Sequence, residues 1–296
     1  MSISHSRLLR GLLLFALALW LPARAKSQES AYFVTYDHYL EEPGNLEIEY
    51  FSTFGTQHGG NDFHAFWIEL EYGAKAWWTT EFYLDGQTTF NDSTLFTGFR
   101  WENRFRTLKH EHFITPVIYV EYARLSGADK IMKEVEGHDV ASDFDEPNSL
   151  LRRETKHELE FKLLLSSTYK GWNFAENTLA AKNLSNQPWE FGYALGASRP
   201  LQLAASSKRC SLCLQNFVAG VEIYGGLGDR HSFGLKDTSQ YLAPVAAWNL
   251  PSGWTLRVSP AFGLNDTSRG FLLRWGLSYE INGFGERVGR LFGRGQ

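Results

Sequence analysis

The sequence predicts an all-β chain, an up-and-down antiparallel transmembrane β-barrel of about twelve strands. Three observations predict it. Apolar and charged residues alternate in run after run, the pattern of strands with two unlike faces. The ionisable faces are too dense in mixed charge for a small soluble core, whereas a closed barrel holds such rows as its inner lining. The apolar faces are rich in rings, with Phe 22, Tyr 13 and Trp 10 in 296 residues against Met 2. Several rings (Trp77, Trp78, Trp101, Trp172, Trp189, Trp254 and Tyr279) stand near the ends of the runs, where a membrane barrel carries its interfacial belts. The competing fold is a periplasmic sandwich or lipocalin-like barrel, whose core would use branched residues packed at high density.

The first residues address the chain for export. Arg7 and Arg10 precede the apolar run from Gly11 to Leu21, and Pro22-Ala23-Arg24-Ala25 ends in a small-x-small cleavage pattern. The run is shorter than the ~20 apolar residues of a membrane-spanning helix. Removing residues 1–25 takes Arg7, Arg10 and Arg24 from the 29 basic side chains and none from the 33 acids, so the mature chain carries a net charge of −7. That sign and the export signal argue against nucleic-acid binding. The expected organisation is a signal peptide (1–25), a periplasmic N-terminal segment (26–44), the barrel (45–281) and a C-terminal tail (282–296). Within the N-terminal segment, Ala31 to Tyr36 reads as a possible short strand before the turn at Glu42-Pro43-Gly44-Asn45.

From Leu46 the period is two. Expected strands cover Leu46–Phe54, Phe63–Tyr72, Trp77–Gly86, Leu95–Arg106, Ile114–Arg124 and Glu154–Leu165. They continue through Trp172–Ala181, Trp189–Ser198, Asn216–Gly225, Gln240–Leu250, Trp254–Leu264 and Gly270–Ile281. The seventh alternates imperfectly, because Glu176 falls on its aromatic side, and the tenth barely alternates. Short connections at Gly73–Ala76 and Pro251–Gly253 should lie at one end, and the long ones at Ser126–Arg153 and Gly226–Ser239 at the other. Arg199–Gln215 is long for its end, which implies a short helix there, an extra strand, or a strand assignment displaced by one element.

Three stretches carry a family likeness: E-I-E-Y at Glu47–Tyr50, I-E-L-E-Y-G at Ile68–Gly73, and the closing run G-F-L-L-R-W-G-L-S-Y-E-I at Gly270–Ile281. In the last, Arg274, Gly276, Tyr279 and Ile281 resemble the closing-strand signal of bacterial outer-membrane barrels. With the signal peptide, the chain resembles the porin-like outer-membrane β-barrel proteins of Gram-negative bacteria. The resemblance implies outer-membrane lipid and the barrel-assembly machinery as partners, with those four residues as the assembly signal. It departs from the usual pattern because Asn282–Gln296 follow the closing strand.

Enzyme signatures are absent. No G-x-S-x-G, phosphate-binding glycine loop or H-E-x-x-H occurs, because Phe161 stands where the second histidine after His157-Glu158 would be. Side chains on neighbouring strands can still meet, which leaves His64, His157 and His231 with Ser232 as third-ranked hydrolase candidates. His110-Glu111-His112 puts two imidazoles on one face but lacks a visible third ligand, so no metal and no cofactor is expected. The only cysteines, Cys210 and Cys213, form C-S-L-C. In an exported chain they read as a disulfide staple, with free thiols as the alternative.

The expected lumen lining is Glu47, Glu49, Glu69, Glu71, Glu81, Arg100, Glu102, Arg104, Glu121, Lys156, Glu158, Glu160, Arg257, Arg274 and Glu280. Acids outnumber bases, which points to a narrow, porin-like channel for small solutes with a preference for cations. The alternative is a closed structural or surface-interaction barrel in which the same ions pair off and fill the lumen.

Overall fold

The computed structural model describes residues 30–56, 62–130, 147–185, 187–203 and 210–291. The expected signal peptide, most of the long acidic loop and the end of the tail lie outside the described residues.

Twelve strands close into a barrel in which each pairs antiparallel with its sequence neighbours and β1 pairs with β12. They are β1 (Leu46–Thr56), β2 (Phe63–Lys75), β3 (Trp78–Thr89), β4 (Thr94–Arg106), β5 (Thr115–Ser126) and β6 (Thr155–Tyr169). The second half is β7 (Trp172–Asn183), β8 (Trp189–Pro200), β9 (Phe217–Asp229), β10 (Gln240–Asn249), β11 (Trp254–Gly263) and β12 (Phe271–Ile281). At about 3.3 Å per residue and the usual barrel tilt, such lengths span roughly the height of a bilayer's apolar core. Closure removes every sheet edge, so all wall backbone groups can be satisfied within the wall.

Alternation fixes the two faces. Outward-facing Ile68, Leu84, Ile118, Leu163, Leu195, Val258 and Leu277 are exposed apolar side chains at mid-strand, an arrangement costly in water and favourable in lipid. Inward-facing positions carry most of the charged residues of the strands. Both weakly patterned strands are present. Glu176 sits on the outer face of β7, where its carboxylate accepts from Thr178 Oγ1 at 2.6 Å.

Both described termini lie at one end of the barrel, here called the terminal end. The connections β2–β3, β6–β7 and β10–β11 there are short. The long β8–β9 connection also lies there and holds a 3₁₀ turn (Leu214–Asn216) and the Cys210–Cys213 disulfide. At the opposite loop end, helix α1 (Asn148–Leu151) tucks into the mouth, where Asn148 Nδ2 donates to Thr89 Oγ1 at 3.0 Å. Helix α2 (Phe284–Leu291) follows β12, and Phe284 packs edge-on to Tyr72 at 6.4 Å.

Two expectations for the N-terminal segment change. Ala31–Tyr36 is not a strand, and from Ser30 onward the segment lies inside the barrel instead of beyond its mouth. Most of its bonded backbone N–H groups donate to side chains of the wall, from Phe33, Val34, Thr35, Tyr36, His38 and Glu41, so no ladder forms along it and no period of two is required. Gly196 leaves space for it: a Cβ there would come within 2.7 Å of the Tyr32 ring.

Candidate functional site

The described N-terminal segment crosses the terminal half of the lumen. Tyr32 hydroxyl donates to the Asn173 carbonyl at 3.1 Å beside β7, while Tyr36 and Leu40 pack on Val117, Tyr119 and Leu164 of β5 and β6. Between these points three consecutive amides converge on one buried carboxylate. Phe33 N–H donates to Glu222 Oε2 at 3.0 Å, and Val34 and Thr35 N–H donate to Oε1 at 2.9 and 2.7 Å. Asn177 grips the next residue from both sides, accepting from Tyr36 N–H at 2.6 Å and donating to its carbonyl at 2.8 Å. His38 follows, its ring and backbone N–H both bonded to Ser166 Oγ.

Burial pushes the Asp37 carboxyl of this segment up to about 6, against the Tyr39 N–H and the Arg104 charge, which pull it back. Burial also holds the His38 imidazole below its ordinary value, opposed by Glu111 at 3.9 Å.

Strand register brings together what separate runs could not. Directly paired positions place Glu280, Glu47, Glu71, Glu81, Glu102, Glu121 and Glu160 in one unbroken row across β12, β1, β2, β3, β4, β5 and β6. All seven are buried on the inner face. Like charges directly opposite one another destabilise a sheet, so this row needs compensation. Arg104 supplies part of it, contacting Glu71 and Glu81 closely and Glu102 at 3.3 Å. Lys162 meets Glu160 at 2.7 Å, and Arg100 lies 2.9 Å from Asp85 and 3.6 Å from Glu121. The same cations lie over rings, Arg100 over Tyr83 at 4.0 Å and Lys162 over Tyr119 at 4.2 Å.

A cavity of about 390 Å³ remains between the N-terminal segment and this row. Among the described residues its lining holds eleven acids, including Asp37, Glu47, Glu69 and Glu280, against five bases, Arg100, Arg104, Lys162, Arg257 and Arg274. Toward the loop end, Phe63, Tyr224, Tyr241 and Leu272 pack together with no exposure. Beyond them Arg269 lies over Phe63 at 4.2 Å and donates to the Lys130 carbonyl at 2.8 Å, which ties the β11–β12 connection to the opposite β5–β6 connection across the mouth.

The fifteen expected lumen residues all lie on inward-facing positions. Most are buried, whereas Lys156 and Glu158 are half-buried near the loop end. Arg274 and Gly276 of the expected assembly signal face inward, and Tyr279 and Ile281 face outward, with Tyr279 against Trp254 at 4.7 Å. Among the described residues, the carboxylates of Glu69, Glu71 and Glu81 come within 4.8 Å of one another, and Arg104 already provides a cation to two of them. His110 and His112 are exposed in the β4–β5 connection.

Among the described residues, none of the three hydrolase candidates is assembled into a triad. His157 Nδ1 meets Tyr122 hydroxyl at 2.7 Å, and His231 sits in an exposed turn where its N–H and that of Ser232 donate to Asp229. His64 Nε2 meets Ser52 Oγ at 2.7 Å on the outer wall. Ser52 is 2% exposed, however, and among the described residues no carboxylate is bonded to His64.

No family model matches the chain, and no curated protein matches it. Among solved structures, the chain is similar to an outer-membrane channel from Pseudomonas putida F1, with a TM-score of 0.58 and 10% identity over 84% of this chain and 100% of that one. It is also similar to the KdgM porin, with a TM-score of 0.50 and 8% identity over 79% of this chain and 98% of that one. The fold is that of the porin-like outer-membrane barrels. At these identities the likeness carries the architecture and transfers no residue role.

Proposed function

We propose that this porin-like barrel is a narrow outer-membrane channel for small solutes, exported by its N-terminal signal, with a preference for cations. The observation that carries the reading is the row of seven inward-facing glutamates, six of which line the cavity. A carboxylate belt with fewer bases than acids keeps a negative potential wherever water enters, and rings of Asp or Glu select cations in this way. A belt that weakens strand pairing suits a conducting role better than a purely structural one.

The closed barrel is the second reading. It is favoured by the Arg269–Lys130 bond across one mouth and by the N-terminal segment in the other half. Reversal potentials in a salt gradient, recorded in planar bilayers with refolded protein, separate the two. Cation selectivity is expected, and Glu47→Gln with Glu121→Gln should move the cation-to-anion permeability ratio toward one. Anion selectivity would overturn the charge argument, and no current from demonstrably folded protein, at any voltage, would leave the closed barrel.

A further inference from the structure

We propose that residues 30–43 are a releasable plug and that Glu222 is its latch. This rests on the channel reading and names how that channel is closed.

The wall is complete without the segment. β1 pairs along its length with β12 on one side and β2 on the other, so withdrawing residues 30–43 about Gly44 breaks no strand ladder. What holds the segment is a set of separate side chains, of which Glu222 takes the largest share. Three successive amide dipoles aimed at one carboxylate form a compact anion-holding nest. Glu222 is 0% exposed on β9, and with the plug seated those dipoles do the work that water would do in an open lumen. Release exchanges them for hydration and adds one more carboxylate to the pore wall. Opening and cation preference are therefore coupled.

The segment also has a pivot. Gly44 has φ +85°, a left-handed conformation that glycine adopts without strain, and no atom stands within 4 Å of where its Cβ would be. On the barrel side of the pivot the chain is fixed: Asn45 Nδ2 donates to Glu280 at 2.6 Å, and Asn45 Oδ1 accepts from Gly283 N–H at 2.8 Å. Gly44 itself stays on the wall, its N–H donating to the Gly73 carbonyl at 2.7 Å and its carbonyl accepting from Gly285 N–H at 2.9 Å, while on the plug side the attachments are chiefly side chains, such as Glu222 and Asn177, that can re-form with water. Because the segment enters and leaves at the terminal end, it can swing out without passing the packed cluster of Phe63, Tyr224 and Tyr241.

The test uses Thr35→Cys as a reporter, since Thr35 is 4% exposed when the plug is seated and Cys210 and Cys213 are occupied by their disulfide. Glu222→Gln replaces one accepting oxygen with an NH₂ group that faces an amide donor. One charge-assisted bond is lost and one N–H is left opposed, so labelling by a water-soluble maleimide should speed up about tenfold or more. Open-channel current should rise in parallel. Asn177→Ala, which frees Tyr36, is the second variant should Glu222→Gln fail to fold, and heat-dependent gel mobility reports folding for each protein.

Faster labelling with larger current supports the plug. Unchanged labelling in folded variants, with wild-type current intact, overturns the plug and leaves the channel reading standing. Faster labelling with no current in any variant overturns both the gate and the channel.

Discussion

Arg104 is the residue on which the inner charge balance turns. Its guanidinium serves Glu71, Glu81 and Glu102, lies over the Tyr36 ring at 5.3 Å and donates to the Tyr39 carbonyl at 3.4 Å, so one side chain joins the glutamate row to the plug. Removing one partner from a buried ion pair typically costs about 3–5 kcal/mol, because the remaining charges lose their compensation. Arg104→Met should therefore lower the temperature at which the folded gel band converts to the unfolded one. Arg104→Lys should fall between, keeping the charge and losing the planar fork. An unchanged conversion temperature in Arg104→Met would mean that lumen water, not Arg104, neutralises the row. The inward face of Arg104 was legible from the alternation of Arg100, Glu102, Arg104 and Arg106. Its sharing among three glutamates was not, because that depends on register between β2, β3 and β4, which no single strand encodes.

At the scale of elements, the wall was readable and the plug was not, for a common physical reason. A strand with lipid on one side and charge on the other must repeat every two residues, so even β7 and β10 left a trace. A segment held inside the lumen by Glu222, Asn177 and Ser166 meets no repeating environment, and Ala31–Tyr36 mimicked a strand by ring content alone. β12 illustrates how far the pattern reaches. It closes the wall against β1, and Gly276 makes room inside it for the Phe51 ring, which a Cβ would approach to 2.7 Å. Tyr279 and Ile281 lie on its outer side at its end, each 6% exposed. Changing both to Asp should reduce the yield of heat-modifiable barrel in cells far more than Phe284→Asp, which touches only the Tyr72 contact of α2. Equal losses would move the assembly signal from the strand to the tail.

For the whole molecule, the ring-rich composition resolves into two bands. At the terminal end stand Trp77–Trp78, Trp172–Phe174, Phe217–Trp248 and Trp254–Tyr279. At the loop end stand Phe54–Phe90, Phe191–Phe233 and Phe262–Phe271. Between them the outer wall is apolar throughout, with aliphatic side chains such as Leu163, 41% exposed near the centre of β6, beside mid-height ring pairs such as Tyr50–Trp275 and Phe82–Phe99. A continuous exposed apolar belt with rings at both rims matches the core and the two interfaces of a bilayer, whereas a water-soluble barrel has no reason to expose such a belt all round. A depth-dependent cost follows. Leu163→Arg should destabilise the barrel by about 2–4 kcal/mol in refolding titrations into lipid vesicles, and Leu184→Arg, beyond the loop-end of β7, by about 0–1 kcal/mol. Both leucines are exposed, at 41% and 52%, so lost packing within the protein predicts similar costs at the two sites. The difference between them belongs to the lipid. Equal costs in vesicles would remove the membrane from the explanation of the outer face, and with it the basis for a channel.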